Sequence, residues 1–306
     1  MGGREAVLRR APFGAKVKSA HDMGREWTIL SALQGAYPRA PRPLAFCEDA
    51  SVLGAPFYLM ERVQGVILRG DGSASGVTLT PEILRATSTA LVDNLADLHA
   101  VPVAGTPLAT LGRPDGYVAR QVKGWTDRYF AAKTDEVPDI EAAAAWAAAH
   151  RPPEGGATLV HNDYKYDNVV LDPADPSRIV AVLDWEMATV GDPLMDLGTA
   201  LGYWTDPDDP EALRASAFGP THLPGSLSRR EVVERYALRS GRDVGDVLFH
   251  YVFALFKLAV IVQQIYRRFR DGHTSDPRFA RLGATVRILG TQARRALDRG
   301  RIDRLG

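Results

Sequence analysis

The sequence predicts an α+β protein of two lobes, a small mixed one followed by a mostly helical one. Three observations carry this prediction. Strand-like segments, "EAVLR" at 5–9 and "FYLMERV" at 57–63, flank one helix-patterned segment near the N-terminus. A Gly/Ser-rich connection, "QGVILRGDGSASG", follows at 64–76, which is turn and linker chemistry. Beyond it helical patterns dominate, interrupted once by a strand–loop–strand unit that starts at "LVHNDYKYDNVVLD", residues 159–172. The lobes are expected to divide as 1–66 and 67–306.

Each element has its local reason. Residues 5–9 are apolar enough for a short strand. In "HDMGREWTILSAL", 21–33, Asp22 is placed to cap a helix, and Trp27, Leu30 and Leu33 follow at helical spacing. "YPRAPRPLAF" is too rich in proline for helix and is expected to be extended or looped. Pro81 suits a first helical turn, and Leu84, Leu91, Leu95 and Leu98 then line one face of a helix over 81–100. Further helices are expected over 117–133, 140–150, 229–240, 243–271 and 276–298. Two short strands are expected around the polar stretch at 159–172 and around "RIVAVLDW".

Composition excludes several classes. The 306 residues are 45% hydrophobic, enough for a sizeable core, and 37 Lys+Arg balance 37 Asp+Glu. A zero net charge does not favour a nucleic-acid partner. The single cysteine, Cys47, cannot form an internal disulfide and is read as a small core residue. "YVFALFKLAVIV", 251–262, is too short to span a bilayer and carries Lys257, so a buried core helix is expected there. No signal-type stretch opens the chain, and a soluble, cytoplasmic protein without a membrane partner is expected. Nothing in the residues specifies an oligomeric state.

The chemistry concentrates in "HNDYKYDN". His161, Asp163 and Asn168 form H-x-D-x-x-x-x-N, and "VLDWE" sets Asp184 just after a second apolar strand. This is the pattern of kinase-type phosphoryl transfer. That reaction needs one carboxylate to meet the acceptor hydroxyl as base or orienter. It also needs a carboxylate and an amide oxygen to hold Mg²⁺, a hard ion that takes few protein carboxylates beside phosphate and water oxygens. Upstream, Arg9 ends a strand where this architecture puts a cation for the α- and β-phosphates. Glu26 lies on the next helix, in position to pair with it. The backbone from Glu61 to Val63 would meet the adenine edge.

The strings "VLRR", "REWTILSAL", "FYLMERVQG", "LVHNDYKYDNVVLD" and "AVLDWEMATVGDPLMDLG" resemble the aminoglycoside phosphotransferase-like family. Within it, the chain is most similar to the branch associated with acyl-CoA dehydrogenases. The resemblance runs to about position 204. It implies a bilobal protein-kinase-like fold, ATP, Mg²⁺ and transfer of the γ-phosphoryl group to a small-molecule hydroxyl. Carried over by position, Asp163 is the catalytic base, and Asn168 and Asp184 are the metal ligands. Lys165 stands where a γ-phosphate contact is expected, and Glu186 either reaches the metal or flanks it. Asp192 and Asp196 are expected to brace the loop through backbone hydrogen bonds, and His161 to act as a buttress. Tyr203, Trp204, Asp206 and the 243–271 helix are candidate walls of the acceptor site. The branch suggests a hydroxyacyl compound as acceptor.

The chain departs from the family pattern in three places. Arg9 replaces the usual Lys, a planar fork in place of a point charge. "HND" replaces "HGD", which is tolerable unless position 162 needs a positive φ. The family's first two strands and glycine-rich loop are expected to be missing, since Met1 lies only seven residues before Leu8. The small lobe would then be truncated, with an exposed sheet edge and the nucleotide's upper face open. Two competing readings follow, a pseudokinase-like nucleotide-binding or scaffold module and a metal-dependent phosphohydrolase.

Overall fold

The computed structural model describes residues 5–11 and 22–306. The "MGG" segment, the start of the 1–66 lobe and His21 fall outside the described residues. The first sheet is three-stranded and antiparallel, in the order β1 (Ala6–Arg10), β3 (Phe57–Glu61), β2 (Pro43–Cys47). Register places Arg9 opposite Tyr58 and Ala6 opposite Glu61. The third strand stops at Glu61, two residues short of the expected end. α1 (Met23–Leu33) packs across this sheet, with the Asp22 side chain accepting from the Arg25 amide at 3.1 Å as its N-cap. Ile29, Leu30 and Leu33 are fully buried on its inner face. One short helix, α2 (Ala50–Leu53), joins β2 to β3.

The connection to the large lobe is anchored as soon as it leaves β3. Val66 exchanges both backbone hydrogen bonds with Leu171, at 2.9 and 2.8 Å. Gly65 allows this approach, because a Cβ there would lie 2.5 Å from the Leu171 carbonyl oxygen.

α3 (Pro81–His99) starts at its Thr80 cap and buries Leu84, Leu91, Leu95 and Leu98 as expected. α4 (Tyr117–Ala132) and α5 (Pro138–Ala149) follow. The expected pair of strands proves to be four short ones in two antiparallel ribbons. β4 (Thr158–Val160) pairs with β7 (Thr189–Gly191), and β5 (Val169–Leu171) pairs with β6 (Ile179–Val182). All residues of β4 and β5 are buried, so the polar loop between them hangs from two anchored ends.

After β7 comes α6 (Pro193–Gly202), then α7 (Glu211–Arg214), α8 (Arg229–Ser240), α9 (Val247–Arg270) and α10 (Leu282–Arg299). α9 begins four residues later than expected. Gly241 ends α8 at φ 69°, and the Asp243 side chain then folds a turn by accepting from the Gly245 amide. α10 is also shortened at its start, because Asp276 and Pro277 set up a 3-10 turn over 277–281. α9 runs through the core, with Tyr251 to Val260 buried and Lys257 among them. It is long and apolar enough to cross a membrane by length and composition alone, yet most of it is covered by protein.

Cys47 departs from its expected place: it ends β2 half-buried rather than in the core. Asp206 also departs. It is buried against Arg229 and so does not line an open wall. Arg229 donates both terminal nitrogens to Asp209 at 2.6 Å, its backbone amide to Asp206 at 2.9 Å and its Nε to the Ile302 carbonyl at 2.6 Å. This cluster ties the start of α8 to the 204–209 turn and the C-terminal segment.

Candidate active site

The loop between β4 and β5 is built around Asp163. Its Oδ1 accepts from the Tyr203 hydroxyl at 2.6 Å, and its Oδ2 accepts from Lys165 Nζ at 2.5 Å and from Asn168 Nδ2 at 2.8 Å. Burial pushes the Asp163 carboxyl up, but the Lys165 ammonium and the Tyr203 hydroxyl outweigh it. The net position is below the ordinary Asp range, so the group is a carboxylate at neutral pH. Burial and the facing carboxylate push the Tyr203 phenol far up, so it stays a donor.

His161 is a buttress with a definite tautomer. Its Nε2 lies 2.9 Å from the Leu183 carbonyl, which can only accept, so the proton sits on Nε2. Nδ1 then accepts the Asp163 amide at 3.3 Å. One neutral ring thus links the Asp163 loop to the residue before Asp184. Leu183 also donates its amide to the Asn168 carbonyl at 2.8 Å, giving a second tie between the two strands.

Beneath the loop lies Asp196 of α6, fully buried. Its Oδ2 accepts the His161 amide at 2.6 Å and His99 Nε2 at 3.1 Å, and its Oδ1 accepts the Asn162 amide at 2.7 Å. Asp192 caps α6 by accepting from Leu194 at 2.8 Å, and it also takes the Gly155 amide. Both aspartates bond backbone amides as expected.

Asn162 has φ 65°, so the position does adopt the left-handed conformation that favours glycine. Asparagine tolerates that region better than most side chains. Here the side chain also works: its Nδ2 donates to the Met187 carbonyl at 3.1 Å, and its Oδ1 accepts from Tyr117 at 3.2 Å.

Asn168 immediately precedes β5, and Asp184 follows β6 by two residues, so the tied strands hold both. Asn168 Nδ2 is spent on the Asp163 carbonyl and carboxylate, each at 2.8 Å, which leaves Oδ1 for an ion. Asp184 is partly open, with 37% of its side chain exposed. Among the described residues no cluster of three or more His, Cys, Asp or Glu forms a closed cage. Two hard oxygen donors on a partly open site suit Mg²⁺, which keeps water and phosphate ligands.

Arg9 reaches across from β1. One terminal nitrogen lies 3.3 Å from both Glu26 oxygens, 3.1 Å from Asp184 Oδ1 and 3.7 Å from Glu186. Glu26 is buried, and burial pushes its pKa up against the pull of Arg9. The structure thus brings Arg9, Glu26, Asp184 and Glu186 together. It sets Glu61 and Val63 apart, at the end of β3, and the Glu61 amide is already taken by the Arg42 carbonyl at 2.9 Å.

Three residues act beyond what sequence reasoning assigned them. Tyr203, taken as a wall, touches Asp163 directly. Lys257, buried within α9, lies over the Trp125 ring, and its Nζ donates to the Asn162 carbonyl at 3.1 Å and to Thr199 at 3.4 Å. Burial pushes its pKa down to about 8. Asn94 joins the lobes, accepting from Tyr37 at 2.9 Å and donating to Tyr164 at 2.8 Å. The only sequence signal for Lys257 was a lone charge in an apolar helix. Tyr203 and Asn94 have no local signal.

A family model described as "Phosphotransferase enzyme family" matches residues 2–232. Among curated proteins, the chain is 36% identical over 274 residues to acyl-CoA dehydrogenase family member 10 of Mus musculus. That match covers 89% of this chain and 25% of the relative. It is 36% identical over 282 residues to family member 11 of the same species, covering 90% of this chain and 35% of the relative. The chain therefore spans a quarter to about a third of these relatives. Among solved structures, a Ralstonia eutropha protein provisionally assigned as an aminoglycoside phosphotransferase superposes with TM-score 0.80 at 30% identity. That alignment covers 94% of this chain and 84% of the other. A thermostable aminoglycoside phosphotransferase mutant, solved with AMP-PNP and hygromycin B, shares the fold with TM-score 0.56 at 19% identity, covering 94% and 88% of the two chains.

Proposed function

The chain belongs to the phosphotransferase enzyme family and has its kinase-like fold; on that premise we propose that it moves the γ-phosphoryl group of ATP to a hydroxyl of a small molecule, with Mg²⁺. The observation that carries this reading is the Asp163 carboxylate, ionised and oriented by Lys165 and Asn168, beside the oxygen donors Asn168 and Asp184.

In this reading Asp163 accepts the proton of the acceptor hydroxyl as its oxygen attacks the γ-phosphorus. Lys165, already fixed on Asp163, faces the transferred phosphoryl group. Asn168 Oδ1 and Asp184 hold Mg²⁺, which when bound neutralises charge on the phosphate oxygens. Arg9, kept in place by Glu26, contacts the α- and β-phosphates. The Glu61 carbonyl and the Val63 backbone meet the adenine edge. Beside Lys165, the buried residues Leu91, Leu95, Trp204 and Val232 line a small apolar space of about 20 Å³. The names of the relatives support a hydroxyacyl compound as acceptor.

The test pairs two variants in an ATP-consumption assay across hydroxyl acceptors. Asp163→Asn should lower transfer by about 10²–10⁴-fold while Mg–ATP still protects against heat. Asp184→Ala should weaken that protection itself. Equal residual transfer in both would contradict the assigned roles. Binding without any turnover by the parent chain would favour a nucleotide-binding module.

A further inference from the structure

The Tyr203 hydroxyl occupies one oxygen of Asp163, the oxygen not held by Lys165 and Asn168. With O···O at 2.6 Å, it makes the bond that an acceptor hydroxyl would have to make. Tyr203 is the residue after α6, in helical conformation at φ −85°, so its backbone is set by the helix that also carries Asp196. Its ring is held on two sides. Lys165 Nζ lies 4.7 Å from the ring centroid, and Phe218 meets it edge-on at 4.9 Å and 74°.

Tyr203 and Phe218 also separate two apolar spaces. One is the small space beside Lys165. The other is an enclosed cavity behind the ring, walled by Leu213, Leu258, Val262 and Leu289. That cavity holds about 40 Å³, room for a few water-sized spheres rather than a phenol ring, so the ring can leave Asp163 only if its neighbours, Phe218 among them, move with it.

We propose that Tyr203 is a gate on the catalytic carboxylate: its hydroxyl stands in for the acceptor when none is bound, and gives way when one arrives. This rests on the reading of Asp163 as proton acceptor. The gate suppresses a wasteful reaction. Without it, a water oxygen attacks the γ-phosphorus, the bond to the β-phosphate oxygen breaks and ADP leaves with the electron pair. The water proton passes to Asp163 Oδ1, and inorganic phosphate is released. With the phenol donating to Oδ1, and Lys165 and Asn168 donating to Oδ2, one lone pair of the carboxylate is left for that proton, so the phenol hinders this transfer by competing for Oδ1. Tyr203 is thus a positioning residue that favours hydroxyl acceptors able to displace it over water.

The probe is Mg–ATP alone, with phosphate release measured on the full chain. Tyr203→Phe keeps the ring and removes the hydroxyl, so release should rise about tenfold. Adding Asp163→Asn to that variant should return it to background. Phe218→Ala loosens the ring without touching Asp163 and should give a smaller rise; it decides the matter if Tyr203→Phe melts early. Release unchanged or lowered in both variants overturns the gate. Thermal protection by Mg–ATP is scored separately. Protection without increased release removes the gate and leaves the phosphotransferase reading standing, and loss of protection in every variant and the parent removes both.

Discussion

Asp196→Asn tests how the loop is held. The carboxylate is fully buried and accepts three donors, the His161 amide and His99 on Oδ2 and the Asn162 amide on Oδ1. Asparagine keeps the shape but has only one acceptor oxygen. Its best placement sets that oxygen at the Oδ2 position and turns its NH₂ onto the Asn162 amide. A buried backbone donor then faces a donor, which costs about 1–3 kcal/mol. The remaining two bonds lose their charge assistance, roughly another 1 kcal/mol. The total is about 3 kcal/mol. At roughly 2 °C per kcal/mol for a chain of this length, the midpoint of thermal unfolding should fall by about 6 °C. The pH dependence has a definite sign. Burial alone would raise the Asp196 pKa, but His99 and the loop amides hold it below the ordinary range. A folded value below the unfolded one, about 3.9, gives stability that is present above that pH and lost as pH falls through the folded value. The variant should lack this acid slope. A midpoint shift under about 2 °C, or an acid-unfolding slope equal to the parent's, would refute the reasoning.

Two further outcomes follow from the same loop. Asn162→Ala should be less stable than Asn162→Gly by about 1–2 kcal/mol, because alanine carries the full strain of φ 65° while both lose the bonds to Met187 and Tyr117; urea unfolding of both checks it, and the reverse order contradicts it. Lys257→Met should be close to neutral near pH 7, since an expensive buried charge is removed. The parent's Lys257, with a folded pKa of about 8 against 10.5, contributes stability above pH 10.5 that is lost as pH falls to 8. The parent should therefore gain up to about 3 kcal/mol from pH 8 to 10.5 that the variant does not, and parallel pH curves would rule this out.

What was legible in the sequence was local. Asp22 announced α1 because a cap and the spacing of Leu30 and Leu33 lie within one segment. The Asp163 loop was legible because its chemistry and both flanking strands occupy a single run. α6 was missed although Asp192–Pro193 is a cap followed by a first-turn proline, the signal that had served for Pro81. β7 is three residues long and shows no alternation, so periodicity had nothing to act on. Asp206 was misplaced because its fate depends on Arg229, which only the tertiary fold brings to it. Tyr203 reaches Asp163 across 40 residues, and no spacing rule covers that contact.

The placing of α1 has a consequence for control. In two-lobed kinases a displaced helix is a ready on–off device, since moving its glutamate breaks the cation pair. Here the helix carrying Glu26 is pinned to the other lobe. Arg25 donates to the Glu186 and Leu111 carbonyls at 3.3 and 3.2 Å, and Tyr37, just beyond the helix, meets the Trp185 ring edge-on at 5.9 Å and bonds Asn94. Swinging it outward would expose Ile29, Leu30, Leu33 and Tyr37, at about 1.5–3 kcal/mol each, a sum on the order of a whole domain's stability. The contacts of Arg25 and Tyr37 thus tie the helix that carries Glu26 to the other lobe, and displacing it would have to break them.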